Sequence, residues 1–548
     1  MKSFRIFVAG AMLISGLALL APQAHAASLV VRNLNDDGEG SLRAAIAAAN
    51  ADPGADTITF RNGLDGLLAL QAPLDIGTDI TIIGPGPSGR NAIKLYGRQA
   101  TSILAIVGSG STTVSISGLQ FLEGYSSDGG GCINMVDADV TLTNVVFKQC
   151  HSDSGGGGIS AYGFLATGTL TLNDFAMVSN TGNRAGGLWV GNGFEVTVSN
   201  GTFSRNLGDA GAVAIDGPES QNFENVLFQA NLGMSAGALY DISTGDGTTS
   251  FSACTFIANH AQDTGAIYAD YTTGGSGGKS MLVTNSTFLF NYGNIGAGAI
   301  EVTGGSDASF KILFDTIMYN TSESGTAGGL VAGGPTQVSH SVITENIGYY
   351  GEEEDDIDVG YLSVVEFGYS LLGEAEPSDA TDPILDTWTS GKIGADPELQ
   401  LFSVPGQLPM MLPTINSPLI NGGAQSFNVA EVETDARGLP RRAGVRYDVG
   451  AVEWQAPLKP QNTTAIGAVG AIRVSWEAPT SAGDSAVTGY RVFRKVGNRW
   501  VKEATTGATG RSLLIGGLVA GRSYTFFVVA INKAGLGPQS RAVTAVAS

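Results

Sequence analysis

Aromatic and acidic residues recur at matched positions in the middle of the chain. Trp189, Tyr240 and Tyr268 each follow a step of three small residues, at 185–187, 236–238 and 264–266. Each lies in a stretch where apolar and polar residues alternate, and alternate residues of a strand point to opposite faces. Aromatic rings stack on sugar C–H faces, and carboxylates accept hydrogen bonds from sugar hydroxyls. The spacing predicts a glycan-binding face made of Trp189, Tyr240, Tyr268, Asp216, Asp270 and Glu301.

Two other interpretations of this face stay open. Exposed aromatic residues are also common on β surfaces that bind nothing. Alternatively, carboxylates 25 to 30 residues apart come within about 4.8 Å of each other when successive coils stack. Paired carboxylates at glycosidase distances would then be available for hydrolysis of a polysaccharide.

A second group of side chains could bind a metal ion. The run at 352–358 is Glu-Glu-Glu-Asp-Asp-Ile-Asp, and several carboxylate oxygens on one loop are the ligands that calcium prefers. A run of like charges on a loop is also common as a hydrated surface. The sequence therefore offers a candidate calcium site at Glu352, Glu354, Asp355 and Asp356.

Established catalytic motifs are missing from the repeated region. Between residues 118 and 350 the cationic residues are Lys148, Arg184, Arg205, Lys279 and Lys311. None of them adjoins an aspartate cluster of the kind that pectate-lyase-like enzymes use. The histidines after residue 26 are far apart, and no serine-hydrolase or zinc-protease motif accompanies them. The sequence therefore names no catalytic residue and favours a protein that is not an enzyme.

The elements that must position these residues come from an internal repeat. Between residues 118 and 346 a Gly-rich step, a short apolar alternation and a Phe-centred strand recur about eight times. The closing residues lie 25 to 32 positions apart, which is the period of a repeat architecture. They are Cys150, Asn180, Asn206, Asn231, Asn259, Asn291, Asn320 and Asn346.

The period predicts a right-handed parallel β-helix of about ten to thirteen coils. Period-two alternation and β-branched residues indicate strands, and no amphipathic helical stretch interrupts the array. Phenylalanines at equivalent positions are expected to stack in the interior. Asparagine suits the bends, because it tolerates a left-handed backbone and can bond to the next coil. The expected stack is Phe121, Phe147, Phe203, Phe228, Phe256 and Phe288.

The beginning of the array has its own signature. Ser41 can cap a short helix with Leu42, Ala45, Ile46 and Ala49 on one face, which would cover the open end of the core. The residues Ser-Leu-Arg-x-Ala-Ile at 41–46 resemble the CSLREAI cap motif of bacterial secreted β-helix proteins, without that family's Cys and Glu. The resemblance implies a fold and a secreted protein, and it implies no reaction.

The end of the array carries a second resemblance to the same proteins. Ala-Asp-Pro at 395–397, Asn-Ser-Pro-Leu-Ile-Asn-Gly-Gly at 416–423 and Thr-Asp-Ala-Arg-Gly-Leu-Pro at 434–440 precede Tyr-Asp-Val-Gly-Ala-Val-Glu at 447–453. This series resembles their choice-of-anchor Q region. Together with the repeats, the resemblance covers residues 28–455.

The first residues indicate export. Lys2 and Arg5 precede an apolar run at 6–20, and Ala-His-Ala at 24–26 offers a cleavage site, so 1–26 is expected to be a signal peptide. No later stretch is apolar over about 18 residues, so no transmembrane segment is expected in the mature chain. We expect a secreted or cell-surface monomer, with the periplasm as an alternative.

Cysteine is scarce. Three cysteines are too few for a disulfide scaffold, and no Cys-x-x-Cys spacing suggests zinc. Cys254 is expected to be a buried thiol, since it lies two residues before Phe256 on the same strand face. Cys132 and Cys150 fall in one coil, so they are a candidate pair for a disulfide in an oxidising compartment.

A change of composition after Trp454 marks another domain. Pro457 and Pro460 form a linker, and Ile-Arg-Val-Ser-Trp-Glu-Ala-Pro at 472–479 opens a series of alternating strands. With Gly-Tyr-Arg-Val-Phe at 489–493, this region resembles a fibronectin type III module over about 90 residues. The resemblance makes Trp476 a core residue and Tyr524 the tyrosine corner.

Charge is divided between the two regions. From residue 456 onward there are 11 Lys or Arg and 3 Asp or Glu, a net charge of +8, within a chain whose total is −21. The earlier residues therefore carry −29. A basic module on an acidic rod suits docking to a protein partner. Nucleic-acid binding is not expected, because no arginine-aromatic recognition motif accompanies the basic residues.

The sequence therefore predicts an all-β protein in four parts: a signal peptide (1–26), a cap with irregular coils (27–117), a parallel β-helix (118–455) and a fibronectin type III domain (456–548). The expected function is adhesion, or binding of a polysaccharide or surface glycan, without catalysis. No cofactor is expected, although calcium is a candidate ligand. A polysaccharide lyase or glycoside hydrolase is the first alternative. A passive structural spacer is the second.

Overall fold

The repeated segment forms a parallel β-solenoid of about eleven coils, which confirms the predicted fold class. In this computed structural model the described residues are 26–52, 54–89, 92–217, 219–272, 278–323, 327–348, 355–359, 365–373, 392–427, 432–441, 443–444 and 446–548. The predicted signal peptide, except its last residue, lies outside them. Most solenoid strands belong to one 31-stranded sheet, and each pairs in parallel with the strand one coil away.

The N-terminal end is closed by the predicted helix. Ser41 caps it, since its Oγ accepts a hydrogen bond from the Ala44 N–H at 3.1 Å. Leu42, Ile46 and Ala49 are buried on the face that covers the core. The elements here are β1 (Ser28–Val31), α1 (Leu42–Ala51), β2 (Asp56–Phe60), β3 (Gly66–Ala69), β4 (Leu74–Ile76), β5 (Ile80–Ile83) and β6 (Ile93–Tyr96).

The solenoid then continues as short strands separated by bends. Its first half contains β7 (Leu104–Ser117), β8 (Gln120–Leu122), β9 (Tyr125–Ser126), β10 (Ile133–Lys148), β11 (His151–Ser152), β12 (Ile159–Tyr162), β13 (Gly168–Val178), β14 (Thr181–Gly182), β15 (Leu188–Val190), β16 (Phe194–Ser204), β17 (Val213–Ile215), β18 (Gln221–Gln229), β19 (Leu232–Gly233), β20 (Leu239–Asp241), β21 (Thr248–Ser252) and β22 (Thr255–Ile257). Its second half contains β23 (His260–Ala261), β24 (Ile267–Tyr271), β25 (Ser280–Thr284), β26 (Thr287–Leu289), β27 (Tyr292–Gly293), β28 (Ile300–Gly304), β29 (Ser309–Leu313), β30 (Thr316–Met318), β31 (Thr321–Ser322), β32 (Leu330–Gly333), β33 (Thr336–Ser339), β34 (Val342–Thr344), β35 (Ile357–Val359), β36 (Val365–Gly368), β37 (Leu371–Leu372) and β38 (Lys392–Ile393).

The phenylalanine stack lies inside the solenoid as predicted. Phe228, Phe256 and Phe288 stack with ring centroids 4.6 and 4.5 Å apart and planes within 1° of parallel. The stack is interrupted where Met177 takes the position between Phe147 and Phe203. Each coil therefore buries its apolar face against its two neighbours, which is how a solenoid forms one continuous core.

A second internal row, the asparagine ladder, consists of the buried asparagines 180, 206, 231, 259, 291, 320 and 346. The Asn231 Nδ2 atom donates to the Asn259 Oδ1 at 2.9 Å and to the Phe203 carbonyl at 3.0 Å. The Asn231 Oδ1 accepts from the backbone N–H and from Nδ2 of Asn206, both at 3.0 Å. This pattern recurs along the row, so each amide is paired by its neighbours.

The bend at each asparagine differs from the prediction in one respect. The left-handed backbone conformation falls on the residue before the asparagine, with φ between 52° and 58° at Ser179, Arg205, Ala230, Ala258 and Phe290. The asparagine keeps its side chain inside and supplies hydrogen bonds. The residue before it makes the turn, although most such residues avoid positive φ.

The C-terminal part of the solenoid region folds back along the rod. It contains the antiparallel pair β39 (Leu399–Phe402) and β40 (Met410–Pro413). The buried Arg441 donates from Nε to the Asn285 Oδ1 at 2.9 Å, and the Ala451 N–H donates to the Thr316 Oγ1 at 3.1 Å. These bonds join residues more than 130 positions apart in sequence, so the segment lies against several coils.

The last domain is an antiparallel sandwich of a three-stranded and a four-stranded sheet. Trp476 and Tyr490 are buried in its core, and the Tyr524 hydroxyl accepts from the Val519 N–H at 3.0 Å, as expected of a tyrosine corner. Its strands are β41 (Gln461–Ala468), β42 (Ala471–Glu477), β43 (Gly489–Val496), β44 (Arg499–Gly507), β45 (Ser512–Gly516), β46 (Ser523–Ile531) and β47 (Val543–Val546).

Polar contacts join the sandwich to the folded-back segment. Arg437 forms ion pairs with Asp435 at 2.9 Å and with Asp484 of the sandwich at 3.0 Å. The Asn421 Nδ2 atom donates to the Ala534 carbonyl at 2.9 Å. The predicted linker at 457–460 is therefore accompanied by direct contacts between the two regions.

Candidate functional site

Four of the predicted residues, the three aromatic ones and Glu301, lie in one row across five successive coils, which we call the aromatic column, and Asp216 and Asp270 lie beside it. Strands β15, β17, β20, β24 and β28 pair in register, so that each outward residue lies beside the next. Leu188 and Val190, the neighbours of Trp189, are buried, because alternate residues of a strand face opposite sides. The column consists of Trp189, Ala214, Tyr240, Tyr268 and Glu301.

The two tyrosines form a stacked pair. The rings of Tyr240 and Tyr268 have centroids 5.3 Å apart and planes 22° from parallel. The ring faces that they turn toward each other are too close to admit a ligand, so the pair presents its outer edges and hydroxyl groups. Ala214 leaves space between Trp189 and Tyr240, and both rings pack against it and against Ala185 and Ala210.

Trp189 is held by contacts from its own coil and from the next one. Its Nε1–H donates to the Asp216 Oδ2 at 2.8 Å, and the Arg184 guanidinium pairs with the same carboxylate oxygen. The Arg184 Cζ also lies 4.8 Å from the Trp189 ring centroid, a cation–π distance. The indole is therefore fixed in one orientation, which lowers the entropy lost when a ligand binds.

Tyr162 and Arg184 belong to this surface, although they are absent from the predicted set. The Tyr162 ring lies 5.7 Å from the Trp189 ring. It fits there because the next coil has Gly191, where an added Cβ would come within 3.0 Å of the Tyr162 Cβ. Gly191, two positions after Trp189, is the feature of the sequence that could have indicated space for the Tyr162 side chain.

The tyrosine pair lies in a negative electrostatic environment. Burial is the largest cause that raises the pKa of Tyr240, and the charges of Asp209, Asp270, Asp216 and Asp263 add to it. Burial followed by the charge of Glu301 raises the pKa of Tyr268 to about 12. The surface therefore disfavours anionic ligands.

Two of these carboxylates, Asp209 and Asp263, were missed because they lie in the bend before the column strands. The Asp209 Oδ1 accepts from the Ser235 Oγ at 2.7 Å. Burial, and then the charge of Asp209, raises the pKa of Asp263. The Asp263 carboxylate accepts no hydrogen bond from the part of the chain that the structure describes, so its oxygens are available to a ligand.

The other predicted carboxylates are held by their surroundings. The Glu301 Oε2 accepts from the Thr264 hydroxyl at 2.6 Å, and the Asp270 Oδ1 accepts from the Thr272 N–H at 2.9 Å. Within the described residues, the Glu301 Oε1 and the Asp270 Oδ2 accept no hydrogen bond. Fixed carboxylates beside aromatic edges can accept hydrogen bonds from sugar hydroxyls without moving.

Two of the four candidate calcium residues, Asp355 and Asp356, lie among the described residues. Glu352 and Glu354 lie outside the described residues, so their part of the hypothesis stays a prediction. The buried Asp356 carboxylate accepts from the Asn346 Nδ2 at 2.9 Å and from the Gly373 N–H at 3.0 Å. Asp356 thus closes the asparagine ladder, and its part in a calcium site stays a prediction.

Asp355, the residue before Asp356, has a carboxyl group with a raised pKa. Burial, and then the charge of Asp358, raises the pKa of Asp355 to about 6. Among the described residues, no three or more His, Cys, Asp or Glu side chains are grouped so that they could hold a metal ion.

The cysteines lie where the asparagine ladder begins. Cys132 and Cys150 are joined by a disulfide in the structure, with their Cα atoms 5.5 Å apart. The Cys150 N–H donates to the Asn180 Oδ1 at 2.9 Å, so the bridge stands next to the first asparagine. Cys254 is a buried free thiol, as expected, and burial raises its pKa to about 12.

The comparisons with known proteins concern the sandwich. Residues 452–546 match the family model of the fibronectin type III domain, beginning slightly before the predicted boundary at residue 456. A fibronectin type III domain joined to a β-solenoid fits an extracellular protein of the adhesion type, and modules of this family often mediate protein interactions. Across the residues described, no helix has the length and apolarity needed to cross a membrane.

Several solved structures resemble the same part of the chain. A structure of titin kinase with its flanking domains shows 25% identity over 17% of this chain and 17% of that chain, at a TM-score of 0.16. An Fn3-like protein from Clostridium thermocellum shows 20% identity over 16% of this chain and 92% of that chain, at a TM-score of 0.15. The FN5 domain of Drosophila Lar shows 24% identity over 17% of this chain and 97% of that chain, at a TM-score of 0.14.

These structural likenesses are limited in extent. The chain spans between 16% and 34% of the length of the first three structures that it matches. With TM-scores of 0.16 or less, they carry no argument about the rod or about activity.

Proposed function

We propose that the protein is exported and acts outside the cytoplasm as an adhesion protein that binds glycans through the aromatic column. The observation that carries this proposal is the register of the column, which brings Trp189, Tyr240 and Tyr268 onto one surface with carboxylates beside them. Aromatic edges and fixed acceptors suit a polyhydroxylated ligand.

The charge of the surface narrows the class of glycan. Asp209, Asp216, Asp263 and Asp270 all act on Tyr240, and the nearby Arg184 is already paired with Asp216. A polyuronate would meet unpaired negative charge, which opposes binding. The ligand class that fits is therefore a neutral or amine-bearing polysaccharide.

In this proposal the fibronectin type III domain is a docking unit or spacer. It carries a net charge of +8 on a rod that is strongly acidic, so the two regions would prefer different partners. The domain would bind a protein partner while the rod contacts the glycan.

A binding panel tests the proposal. The fragment 27–548 is incubated with immobilised neutral, amine-bearing and acidic polysaccharides, and bound protein and released sugar ends are both measured. Trp189→Ala and Tyr240→Ala should each reduce retention at least tenfold, without products. Tyr319→Ala is the matched control, because Tyr319 stacks on Phe290 at 5.4 Å outside the column. Equal retention by all four proteins would reject the column as the binding surface.

A second candidate function, hydrolysis of a polysaccharide, is favoured by one observation. The raised pKa of Asp263 beside Asp209 is the arrangement in which one carboxyl group can act as a general acid and the other as a base. Release of reducing ends by the wild-type protein, abolished in Asp263→Asn, would support this function. Release of unsaturated ends would instead indicate a lyase.

A further inference from the structure

A groove on another surface of the solenoid has properties of a second binding site. Strands β9, β11 and β14 pair in register and bring Tyr125, His151 and Thr181 onto three successive coils. Beside them the groove has a volume of about 470 Å³, within the ~300–1,000 Å³ typical of small-molecule sites. Its polar lining is formed by Gln99, Tyr125, Gln149, His151, Ser179 and Thr181.

One carboxylate orients both rings of the groove. The Tyr125 hydroxyl donates to the Asp153 Oδ2 at 2.6 Å, and the His151 Nε2 lies 2.9 Å from the Asp153 Oδ1. The two rings are stacked, with centroids 5.7 Å apart and planes 10° from parallel. Half of the Asp153 side chain is nevertheless exposed, so this fixed arrangement remains accessible from solution.

The protonation states follow from these bonds. The hydrogen bond to Asp153 is the main cause that raises the pKa of Tyr125. The hydrogen bond from Tyr125 is likewise the first cause that lowers the pKa of Asp153. At neutral pH the phenol is therefore protonated and the carboxylate is charged.

The lining selects a class of ligand. The amides of Gln99 and Gln149 and the hydroxyls of Ser179 and Thr181 can both donate and accept hydrogen bonds. No Lys or Arg is among the residues that line the groove, and Asp153 adds a negative charge, so an anion has no counter-charge there. The polar lining also disfavours an apolar ligand. An uncharged polyhydroxylated molecule meets all of these conditions.

We propose that the groove is a second saccharide site, which binds a neutral oligosaccharide independently of the aromatic column. Tyr125 and His151 contact the sugar through their outer edges, and the amides and hydroxyls bond to its hydroxyl groups. The inference goes beyond the proposed function, since it requires neither Trp189 nor Tyr240.

Calorimetric titration of fragment 27–548 with neutral gluco-, manno-, galacto- and xylo-hexasaccharides tests this site, with a galacturonate hexamer as the anionic probe. At least one neutral probe should bind in the Trp189→Ala/Tyr240→Ala background, and the galacturonate should not. Tyr125→Phe removes the donor of the Tyr125–Asp153 bond, and Asp153→Asn removes the charge of the carboxylate that orients both rings. Each variant should therefore weaken that binding at least tenfold.

A matched control lies farther along the same row. The Tyr292 hydroxyl donates to Glu323, and neither residue lines the groove. Glu323→Gln therefore removes the charge of an equivalent tyrosine-bonded carboxylate and should leave binding unchanged. If Asp153→Asn fails to fold by circular dichroism, Ser179→Ala and Gln149→Ala replace it, with an expected loss of about fivefold.

The outcomes separate the two proposed sites. Binding that is lost only in the column variants would overturn the groove and keep the proposed function. Binding lost only in the groove variants would keep the groove and reject the column. No saturable binding of any neutral probe in the column-variant background would overturn the groove as well.

Discussion

The asparagine ladder and the aromatic column are rows of side chains on the same coils, yet they differ in how neighbours satisfy them. In the ladder, seven asparagines on successive coils are buried, and each pairs with the residue of the next coil through two hydrogen bonds. In the column the residue type changes along the row, from Trp189 to Ala214, Tyr240, Tyr268 and Glu301. Among the described residues, the Glu301 Oε1 of this row and the Asp270 Oδ2 beside it accept no hydrogen bond.

This contrast distinguishes structural rows from binding rows in a solenoid. A residue that is repeated without change can be paired entirely by its copies, because the coil spacing matches a side-chain hydrogen bond. A row whose members differ cannot pair in this way, and its polar atoms stay available to other molecules. The ladder should therefore govern stability, and the column should govern binding.

Removal of one ladder member should have the largest effect on stability. Asn231→Ala leaves the N–H and Nδ2 of Asn206 without their shared acceptor, and buried unpaired donors cost roughly 1–3 kcal/mol each. We expect a loss of about 4 kcal/mol, measured by urea denaturation. Asn222→Ala is the control, since Asn222 is exposed on β18, the strand that precedes Asn231, and should change stability by less than about 1 kcal/mol. Equal shifts would show that the ladder is dispensable.

The disulfide at the start of the ladder should have the next largest effect. It closes a loop of 18 residues, and a loop of this size contributes about 3 kcal/mol in the chain-entropy account. Cys132→Ser/Cys150→Ser should therefore lower the free energy of unfolding by that amount.

Thiol labelling gives an independent check of the same bridge. The native protein should react with no equivalents of maleimide, since Cys254 is buried. The unfolded protein should react with one equivalent, and the unfolded and reduced protein with three. Three equivalents without reduction would contradict the disulfide.

A pH dependence should follow from His340, which links the rod to the folded-back segment. Its Nε2 accepts from the Ala424 N–H at 3.0 Å, and burial lowers its pKa to about 3. The unfolded chain binds a proton near pH 6.5, so stability is complete above that pH and decreases as the pH falls toward 3. Between pH 7 and pH 5 the expected loss is about 2 kcal/mol.

The variant His340→Gln isolates this contribution. Glu453 and Asp448 have pKa values raised to about 9 and 7, mainly by burial, and they act in the opposite direction because the folded state favours their protonated forms. Both groups remain in the variant, so the difference between the two proteins reports on His340. Parallel stability curves from pH 7 to pH 5 would disprove the assignment.

The smallest effect concerns a carboxylate beside the column. Asp263→Asn removes a charge that burial and Asp209 disfavour. Because the residue is partly exposed to solvent, its screened contribution is only about a few tenths of a kcal/mol, and the sign should be stabilising at pH 7. The same variant should bind an amine-bearing glycan less tightly than the wild type does. A loss of stability would show that Asp263 has a structural partner.

Much of the fold could be predicted because a repeat reveals which residues are equivalent. The positions of Phe228, Phe256 and Phe288 in the interior follow from the period alone, and so does the outward direction of Tyr240 and Tyr268. The bend was harder to predict. Asn231 tolerates a left-handed backbone, but its amide is needed inside, so Ala230 adopts that conformation instead.

The details of the surfaces could not be predicted in the same way. Arg184 and Asp263 lie in bends, where coils differ in length and the period no longer aligns the residues. Asp153 follows His151 by two positions, but its bond to Tyr125 connects two coils. Such contacts depend on three-dimensional placement, which alternation along a strand does not define.

The most direct measurement compares Asn231→Ala with Tyr240→Ala in two assays on the same samples, urea denaturation and retention on the polysaccharide panel. We predict a crossed result: Asn231→Ala is less stable by several kcal/mol but still binds while folded, whereas Tyr240→Ala keeps nearly its full stability and loses retention. If Tyr240→Ala lost stability and kept retention, the column would be a structural feature, and the assignment of binding to it would be wrong.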